Sequence, residues 1–166
     1  MIVLKHILVA TDFSPPSEAA LTYGRALART FGASLHLLHV AENFFMRSTP
    51  FDPHAIVAGK MRTLDDCLSD YDRTVLRARP IVEMSDSPAD AIVEYAQSEK
   101  VDLIVIGTHG RSAVSQLLVG SVAERVVRFA PCPVLTVRRP EHEFVVPDSL
   151  TEGGRHDSPQ ENSRCD

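Results

Sequence analysis

Five short runs of apolar, mostly branched residues recur along the chain and restrict its fold more than any other feature. They span residues 7–10, 35–40, 81–84, 103–106 and 134–137. The runs are continuous rather than alternating, which is typical of strands buried on both faces of a parallel sheet. Helical patterns separate them, so we predict the order β-α-β-α-β-α-β-α-β. Such alternation implies right-handed crossovers and a ligand crevice where the strand order reverses.

Helix signals fill the gaps between these runs. Ser14 and Pro15 predict the start of the first helix and Gly32 its end, while Ser87 and Ser121 predict two later helix starts. Apolar residues repeat at helical spacing in each segment and are expected to face the sheet. These stripes are Ala20, Tyr23, Gly24, Leu27 and Phe31; Val57, Met61, Leu64, Leu68, Tyr71 and Val75; Ala89, Ile92, Val93 and Ala96; and Val122, Val126 and Phe129.

Charge and hydropathy exclude two classes of partner. The chain has 17 Lys and Arg, two of them within residues 140–166, and 22 Asp and Glu, seven of them within the same residues. The rest of the chain therefore carries 15 basic and 15 acidic side chains. Nucleic-acid binding needs clustered Lys and Arg, so we do not expect nucleic acid as a partner. No apolar stretch approaches the roughly 20 residues that cross a bilayer. We therefore expect a cytoplasmic protein with no membrane association.

The composition changes near residue 140. Residues 140–166 are rich in Glu, Asp, Ser, Gly and Pro, and burial there cannot offset the entropy cost of ordering. We predict one folded domain over residues 1–139 and a disordered acidic tail over residues 140–166. Residues 41–53 form a longer connection without periodicity, which we interpret as a mobile flap beside the crevice.

Cysteines and histidines form neither a disulfide nor a metal pattern. Cys67, Cys132 and Cys165 are odd in number and widely spaced, which indicates reduced thiols. His36 and His39 lie in one predicted strand, and their odd separation sends their side chains to opposite faces. Joint metal ligation is therefore not expected. No nucleophile elbow supports a Ser-His-Asp set, and we identify no catalytic residue.

A pattern of glycines and a hydroxyl group follows the fourth run. Gly107 comes directly after it and Gly110 three residues later; after nine intervening residues, Gly120 and Ser121 open a predicted helix. Glycine lets the backbone approach an anion and takes positive φ without strain, while free N–H groups and the helix dipole favour negative charge. The pattern is neither a Walker motif nor a dinucleotide fingerprint. It predicts a phosphate-binding loop.

The first run leads into Thr11 and Asp12, at a point where the first and fourth strands are expected to meet. An acidic side chain there can accept hydrogen bonds from the ribose or adenine of a nucleotide, or help to hold a divalent cation. Asp12 would alternatively only cap the first helix. Both interpretations are open at this point.

Together these motifs resemble the universal stress protein family, and the likeness covers residues 3–138. It rests on Ile7-Leu8-Val9-Ala10-Thr11-Asp12-x-Ser14, a strand ending at Val40, Gly107-Thr108-His109-Gly110-Arg111, Gly120-Ser121 and Ala130-Pro131-Cys132-Pro133-Val134-Leu135. Gly-x2-Gly-x9-Gly-Ser/Thr is the signature of the ATP-binding branch of that family. The resemblance implies an α/β fold: a single doubly wound, five-stranded parallel sheet with helices on both faces, Rossmann-like, with strand order 3-2-1-4-5.

The resemblance also implies roles around a bound ATP. Asp12 and the backbone of Val40 would contact adenine, with Ala10 and Ile106 as its apolar walls. Magnesium is expected through the ATP phosphates rather than at a fixed protein site.

The other implied contacts concern the ribose and the phosphates. Gly107 would approach the ribose, and Thr11 would lie near the phosphates or the metal. The residues expected around the triphosphate are Gly110, Arg111, Gly120, Ser121 and the N–H of Val122.

Several of these residues have structural alternatives. As an alternative to binding a nucleotide, Gly107 and Gly110 would serve only to shape a tight turn, and the Arg111 side chain would be solvated. His109 lies within the loop and either acts on a proton or, as we expect, organises the turn by a hydrogen bond. Residues 85–88 read Ser-Asp-Ser-Pro where the family commonly has a glycine before the proline, so Asp86 would either repel phosphate or cap the helix.

The predicted function is that of an ATP-binding regulatory module in the stress response, with at most slow hydrolysis. Fast phosphoryl transfer needs an aligned nucleophile, a base and cationic support, of which only fragments are visible. One alternative is an ATP-using or autophosphorylating enzyme that acts through Ser121, Thr108 or His109; another is a nucleotide-free interaction protein. The last strand, Val134–Val137, is expected at a sheet edge, where it would form a homodimer. No other protein partner can be named.

Overall fold

Five parallel strands form the centre of the molecule, whose computed structural model describes residues 1–42, 52–108 and 120–138. The strand order is β3-β2-β1-β4-β5, so the predicted α/β fold and the order 3-2-1-4-5 are confirmed. Along the chain the elements are β1 (His6–Ala10), α1 (Pro15–Phe31), β2 (Ser34–Ala41), α2 (Pro53–Cys67), α3 (Asp70–Thr74), β3 (Arg79–Met84), α4 (Pro88–Ser98), β4 (Leu103–Gly107), α5 (Ser121–Phe129) and β5 (Val134–Val137).

Helices cover both faces of the sheet, and each central strand contributes to two apolar clusters. In β1, Ile7 and Val9 belong to the cluster under α1 and α2, whereas Leu8 and Ala10 belong to the cluster under α4 and α5. Each of these four side chains is at most 7% exposed. Successive side chains of a strand point to opposite faces, so burial on both faces explains why the apolar runs are continuous.

Helix α1 begins and ends at the predicted residues. Ser14 is the N-cap, Pro15 is the first helical residue, and Gly32 follows in the left-handed region with φ of 64°, which favours glycine. The Ser14 side chain accepts no capping hydrogen bond, and its hydroxyl donates to Asp12. The position was therefore predictable, but its hydrogen bonding was not.

The second predicted helix is in fact two helices. The chain is extended at Leu68, with φ of −104° and ψ of 122°. Ser69 then starts α3 by reciprocal capping: Ser69 Oγ accepts the Asp72 N–H, and Asp72 Oδ2 accepts the Ser69 N–H at 2.9 Å. This orientation buries Asp72 and leaves Tyr71 and Val75 43% and 55% exposed. The prediction that these two residues face the sheet is wrong.

An arginine of α1 neutralises the buried Asp72. Arg25 Nε and Nη2 donate to its carboxylate oxygens at 2.9 to 3.1 Å, and Nη2 also donates to the Cys67 carbonyl at 2.6 Å. Burial opposes ionisation, but the hydrogen bonds from Arg25 and Ser69 outweigh it and lower the pKa of Asp72. The pair joins α1 to the junction of α2 and α3.

Two aromatic residues predicted to face the sheet do not. Phe31 and Phe129 are the last residues of α1 and α5, and they are 39% and 57% exposed. In α5 the buried side chains are Ala123 and Val126, three residues apart. Because an α-helix has 3.6 residues per turn, a second step of three carries Phe129 further off the buried face.

Candidate nucleotide site

The carboxyl ends of β1 and β4 meet where the strand order reverses, as the sequence predicts. Ala10 lies opposite Ile106 in this ladder, and on its other side Thr11 N–H donates to the Leu38 carbonyl at 2.9 Å. The helices that follow β1 and β4 cover opposite faces of the sheet. In doubly wound sheets the ligand binds at such a point, which here lies between the starts of α1 and α5.

Four residues predicted around the nucleotide share one apolar cluster. Ala10 and Ile106 are 7% and 5% exposed, and Val40 and Val122 pack partly buried against the same cluster. All four lie on the face covered by α4 and α5. An apolar surface bordered by a few polar groups is the usual lining of a small-molecule site.

Asp12 lies in the turn between β1 and α1 and is half-buried. Its Oδ1 accepts the Ser14 N–H at 3.0 Å and a shorter hydrogen bond from Ser14 Oγ. Burial opposes ionisation, but the hydrogen bonds from Ser14 outweigh it and hold the pKa of Asp12 below its usual value. A carboxylate offers about four acceptor positions, so this turn does not exhaust its capacity. Asp12 can thus support the start of the helix and still present an ionised acceptor.

The Thr11 hydroxyl holds the same turn. Thr11 Oγ1 accepts the Phe13 N–H at 3.1 Å and lies 3.0 Å from Ser17 Oγ. Ser17 Oγ donates to the Ser14 carbonyl at 2.8 Å, so the proton between the two hydroxyl groups comes from Thr11. The placement of Thr11 near phosphates or a metal stays a prediction.

Gly107 is explained by packing against α1. A Cβ at this position would lie 2.9 Å from the carbonyl carbon of Pro16 and 3.0 Å from Ser17 N, both of them backbone atoms. Its φ is not in the left-handed region, since among the glycines of the described ranges Gly32 alone has positive φ. A tight approach of two backbones, with or without a ribose nearby, is therefore sufficient reason for glycine here.

Gly120 occupies the N-cap of α5. Its φ of −55° and ψ of 146° suit any residue, so neither Gly107 nor Gly120 makes use of the left-handed region. Because glycine has no side chain, it cannot cap the N–H groups of the first turn, which include those of Ser121 and Val122. These groups and the helix dipole favour an anion at this end.

Some predicted residues lie outside the described ranges. His109, Gly110 and Arg111 fall within residues 109–119, and the tail predicted over residues 140–166 falls within 139–166. The same holds for residues 43–51 of the predicted flap and for Cys165.

The connection before α4 is held by hydrogen bonds that centre on Asp90. Ser87 is the N-cap of α4, and its Oγ donates to Asp90 Oδ2 at 2.7 Å. Arg125 of α5 donates from Nε and Nη2 to the two Asp90 oxygens at 2.9 Å. The start of α4 is therefore tied to the second turn of α5.

The two histidines of β2 lie on opposite faces, as predicted. His36 contacts Tyr95 of α4, whereas His39 Nδ1 donates to the Thr11 carbonyl at 2.9 Å and its ring packs on Phe13. Sequence reasoning considered His39 only as a metal ligand. A contact between residues 28 apart leaves no local pattern that would have revealed it.

Residues 1–42, 52–108 and 120–138 contain neither a cluster of metal ligands nor a membrane-spanning helix. Within these ranges no group of three or more His, Cys, Asp or Glu side chains is placed to hold a metal ion. No helix there combines the length and apolarity needed to span a membrane. Cys67 and Cys132 are free thiols, and burial raises the pKa of each.

Related sequences identify the family. The model of the universal stress protein family matches residues 4–138. The universal stress protein MJ0531 of Methanocaldococcus jannaschii is 31% identical over 150 residues, which cover 84% of this chain and 85% of that protein. The "universal stress protein in QAH/OAS sulfhydrylase 3′ region" of Thermus aquaticus is 36% identical over 142 residues, covering 82% and 100%.

Solved structures share the fold. The M. jannaschii protein MJ0577 superposes with a TM-score of 0.69 at 28% identity, covering 85% of this chain and 100% of the other. A universal stress protein in complex with cAMP has a TM-score of 0.60 at 24% identity, with 84% and 100% covered. An Archaeoglobus fulgidus universal stress protein in complex with dAMP has a TM-score of 0.58 at 23% identity, with 82% and 99% covered. At these identities the last two show likeness of fold alone. On the match over residues 4–138, the chain belongs to the universal stress protein family.

Proposed function

We propose that this universal stress protein is a cytoplasmic, ATP-binding regulatory module of the stress response that hydrolyses ATP slowly at most. One juxtaposition carries the proposal: an apolar surface, an ionised carboxylate and a helix N-terminus converge where the strand order reverses. The apolar surface suits a base, the carboxylate suits the hydrogen-bond donors of that base, and the helix N-terminus suits a phosphate chain. Two proteins of this fold form complexes with cAMP and dAMP, so the fold itself accommodates an adenine nucleotide, which is the ligand we propose.

Each part of the nucleotide has a proposed contact. Adenine would lie on Ala10 and Ile106, with its edge toward Asp12 and the backbone of Val40. The ribose would approach Gly107. The residues proposed around the phosphates are Thr11, His109, Gly110, Arg111, Gly120, Ser121 and the N–H of Val122. Magnesium bound through the phosphates would neutralise part of their charge.

Regulation is favoured over rapid catalysis because of the groups available for phosphoryl transfer. Thr108, one of the three acceptors considered for autophosphorylation, is 2% exposed. Ser121 is exposed at the start of α5, where we expect it to bind phosphate through its backbone N–H rather than to attack phosphate with its hydroxyl. ATP binding would instead change the surface that the crevice and its loops present to a partner.

Binding measurements test the proposal directly. ATP would be titrated into the wild type, a Gly110→Val/Gly120→Val variant and a Gly59→Ala control. The φ and ψ of Gly120 suit valine, and a Cβ at Gly59 meets nothing within 4 Å. Thermal unfolding of all three proteins is the control for folding. We expect the double variant to bind about tenfold more weakly or worse, and the control to bind normally. Equal affinity in all three proteins would remove the phosphate cradle.

Two further measurements separate the alternative functions. Phosphate release or covalent labelling with ATP and magnesium, above the background of the glycine variant, would favour the enzyme. Adenine nucleotide released from freshly purified protein and identified by mass spectrometry would argue against a nucleotide-free interaction protein. It would also show which nucleotide the protein retains.

A further inference from the structure

We propose that His39 is a positioning residue that ends the ladder between β1 and β2 and thereby keeps the backbone of Val40 open to the base. The role of Val40 as a base contact rests on the proposed function. The ladder itself does not, so the two parts can be tested separately.

The ladder stops one step short of Val40. In a parallel pair, the N–H and C=O of one residue bond to the two residues that flank its neighbour. The last such bond runs from Thr11 N–H to the Leu38 carbonyl at 2.9 Å. One step further, Val40 would donate to the Thr11 carbonyl and accept from Phe13 N–H. Neither bond occurs in this described part of the chain.

Both groups that would extend the ladder are bound by side chains instead. His39 Nδ1–H donates to the Thr11 carbonyl at 2.9 Å, and Phe13 N–H donates to Thr11 Oγ1 at 3.1 Å. His39 is 8% exposed, so little water competes for its hydrogen bond. The imidazole thus occupies the acceptor that Val40 N–H would otherwise use.

The ring of His39 also supports an unusual turn. Phe13 has φ of 64°, a conformation that non-glycine residues adopt only with support from their surroundings. Its ring packs on the His39 imidazole with centroids 4.5 Å apart and planes at 41°. Holding Phe13 in this way fixes the direction in which the chain leaves β1, and with it the position of Asp12.

The consequence concerns the edge of the apolar cluster. The Val40 side chain packs in that cluster with Ala10 and Ile106, and its backbone lies beyond the last ladder bond. A planar base on this surface would meet a backbone donor and acceptor at its rim. Without the His39 donor, the Thr11 carbonyl becomes free to pair with Val40 N–H and close this edge.

The first test uses the nucleotide-free protein and two variants. His39→Asn keeps an N–H donor close to the position of Nδ1, and His39→Leu keeps the approximate volume without a donor. We expect the Val40 amide to exchange with solvent at similar rates in the wild type and the Asn variant, and about tenfold more slowly in the Leu variant. NMR-detected hydrogen exchange measures this. Equal rates in all three proteins would overturn the ladder role.

The second test measures ATP affinity in the same proteins. We expect the Asn variant to bind within about threefold of the wild type, and the Leu variant about tenfold more weakly, although both unfold cooperatively. If the Leu variant does not fold, His39→Gln takes its place. The donor of Gln lies one methylene further out, so we expect a loss of ATP affinity between those of the Asn and Leu variants. Equal ATP binding by all variants would overturn the positioning role and leave the proposed function intact. A wild type that binds no adenine nucleotide, with the expected exchange pattern, would remove the proposed function and retain the ladder role.

Discussion

His36 is a fully buried histidine held in its neutral form. Arg79 Nη2 donates to His36 Nε2 at 2.8 Å, so the ring proton is on Nδ1, which donates to Tyr95 Oη at 3.0 Å. Burial is the largest cause, and the positive charge of Arg79 the next, of the lowering of the pKa of His36 to about 4. The sequence placed this residue in a strand, but its partners come from β3 and α4.

The lowered pKa predicts an acid-dependent loss of stability. In the unfolded chain, His36 takes up a proton as the pH falls through about 6.5, whereas the folded protein resists protonation until about pH 4. Protonation of His36 therefore stabilises the unfolded state between pH 6.5 and about pH 4, and the free energy of unfolding falls as the pH falls through this range. Above pH 6.5 His36 is neutral in both states, so this loss of stability is absent. Between pH 7 and pH 5 the wild type should lose about 2 kcal/mol more than His36→Gln. Urea unfolding at both pH values measures the difference, and an identical loss in both proteins would contradict a neutral buried imidazole.

At the level of elements, Gly24 shows how helix packing overrides helix propensity. It lies within α1, where glycine is normally unfavourable, but a Cβ there would overlap Val9 Cγ2 of β1. Val9 is fully buried and branched at Cβ, so it has little room to move. The glycine lets α1 lie close to the sheet.

Substitution of this glycine should therefore reduce stability. Gly24→Ala adds about 1 kcal/mol of helix propensity, but the overlap should cost about 1–3 kcal/mol, leaving a net loss. Gly59→Ala in α2 is the matched control, because its Cβ meets nothing within 4 Å, and it should stabilise by up to about 1 kcal/mol. Chemical denaturation compares the two, and a Val9→Ala background should remove the penalty. Stabilisation by both alanines would refute this account.

The helix ends and the helix faces differ in how far the sequence predicts them. Ser14 and Gly32 bound α1 as expected, because caps are local features of the backbone. The face of α3 was mispredicted, because it depends on the ion pair between Asp72 and Arg25, which are 47 residues apart. Periodicity within one segment carries no information about such a partner.

At the scale of the whole molecule, β5 forms one edge of the sheet. Ile104 N–H donates to the Pro133 carbonyl at 3.0 Å, and Thr108 N–H donates to the Val137 carbonyl at 2.9 Å. Backbone groups of a strand alternate between its two sides, so those of Val134 and Thr136 point away from β4. Within the described ranges these groups make no backbone hydrogen bond, and we propose that they pair with a second copy of the chain to form a homodimer.

Thr136→Pro should abolish this dimer without disrupting the fold. Proline removes the outward N–H of Thr136 but leaves the bonds from β5 to β4 in place. Thr136→Val keeps the N–H and should remain dimeric. Sedimentation velocity measures the mass of each form, with thermal unfolding as the control for folding. A monomeric wild type at high concentration, or a dimeric proline variant, would contradict an interface at this edge.

The α/β architecture, the starts of most helices and the residues that meet at the reversal of strand order could all be predicted from the order of amino acids alone. This was possible because burial on both faces produces continuous apolar runs, and because Ala10 and Ile106 end adjacent strands. The reason for a glycine at position 107, the buried face of α3 and the partner of His39 became known only from the folded molecule. Each of these depends on atoms from distant segments that come together only when the helices and strands pack.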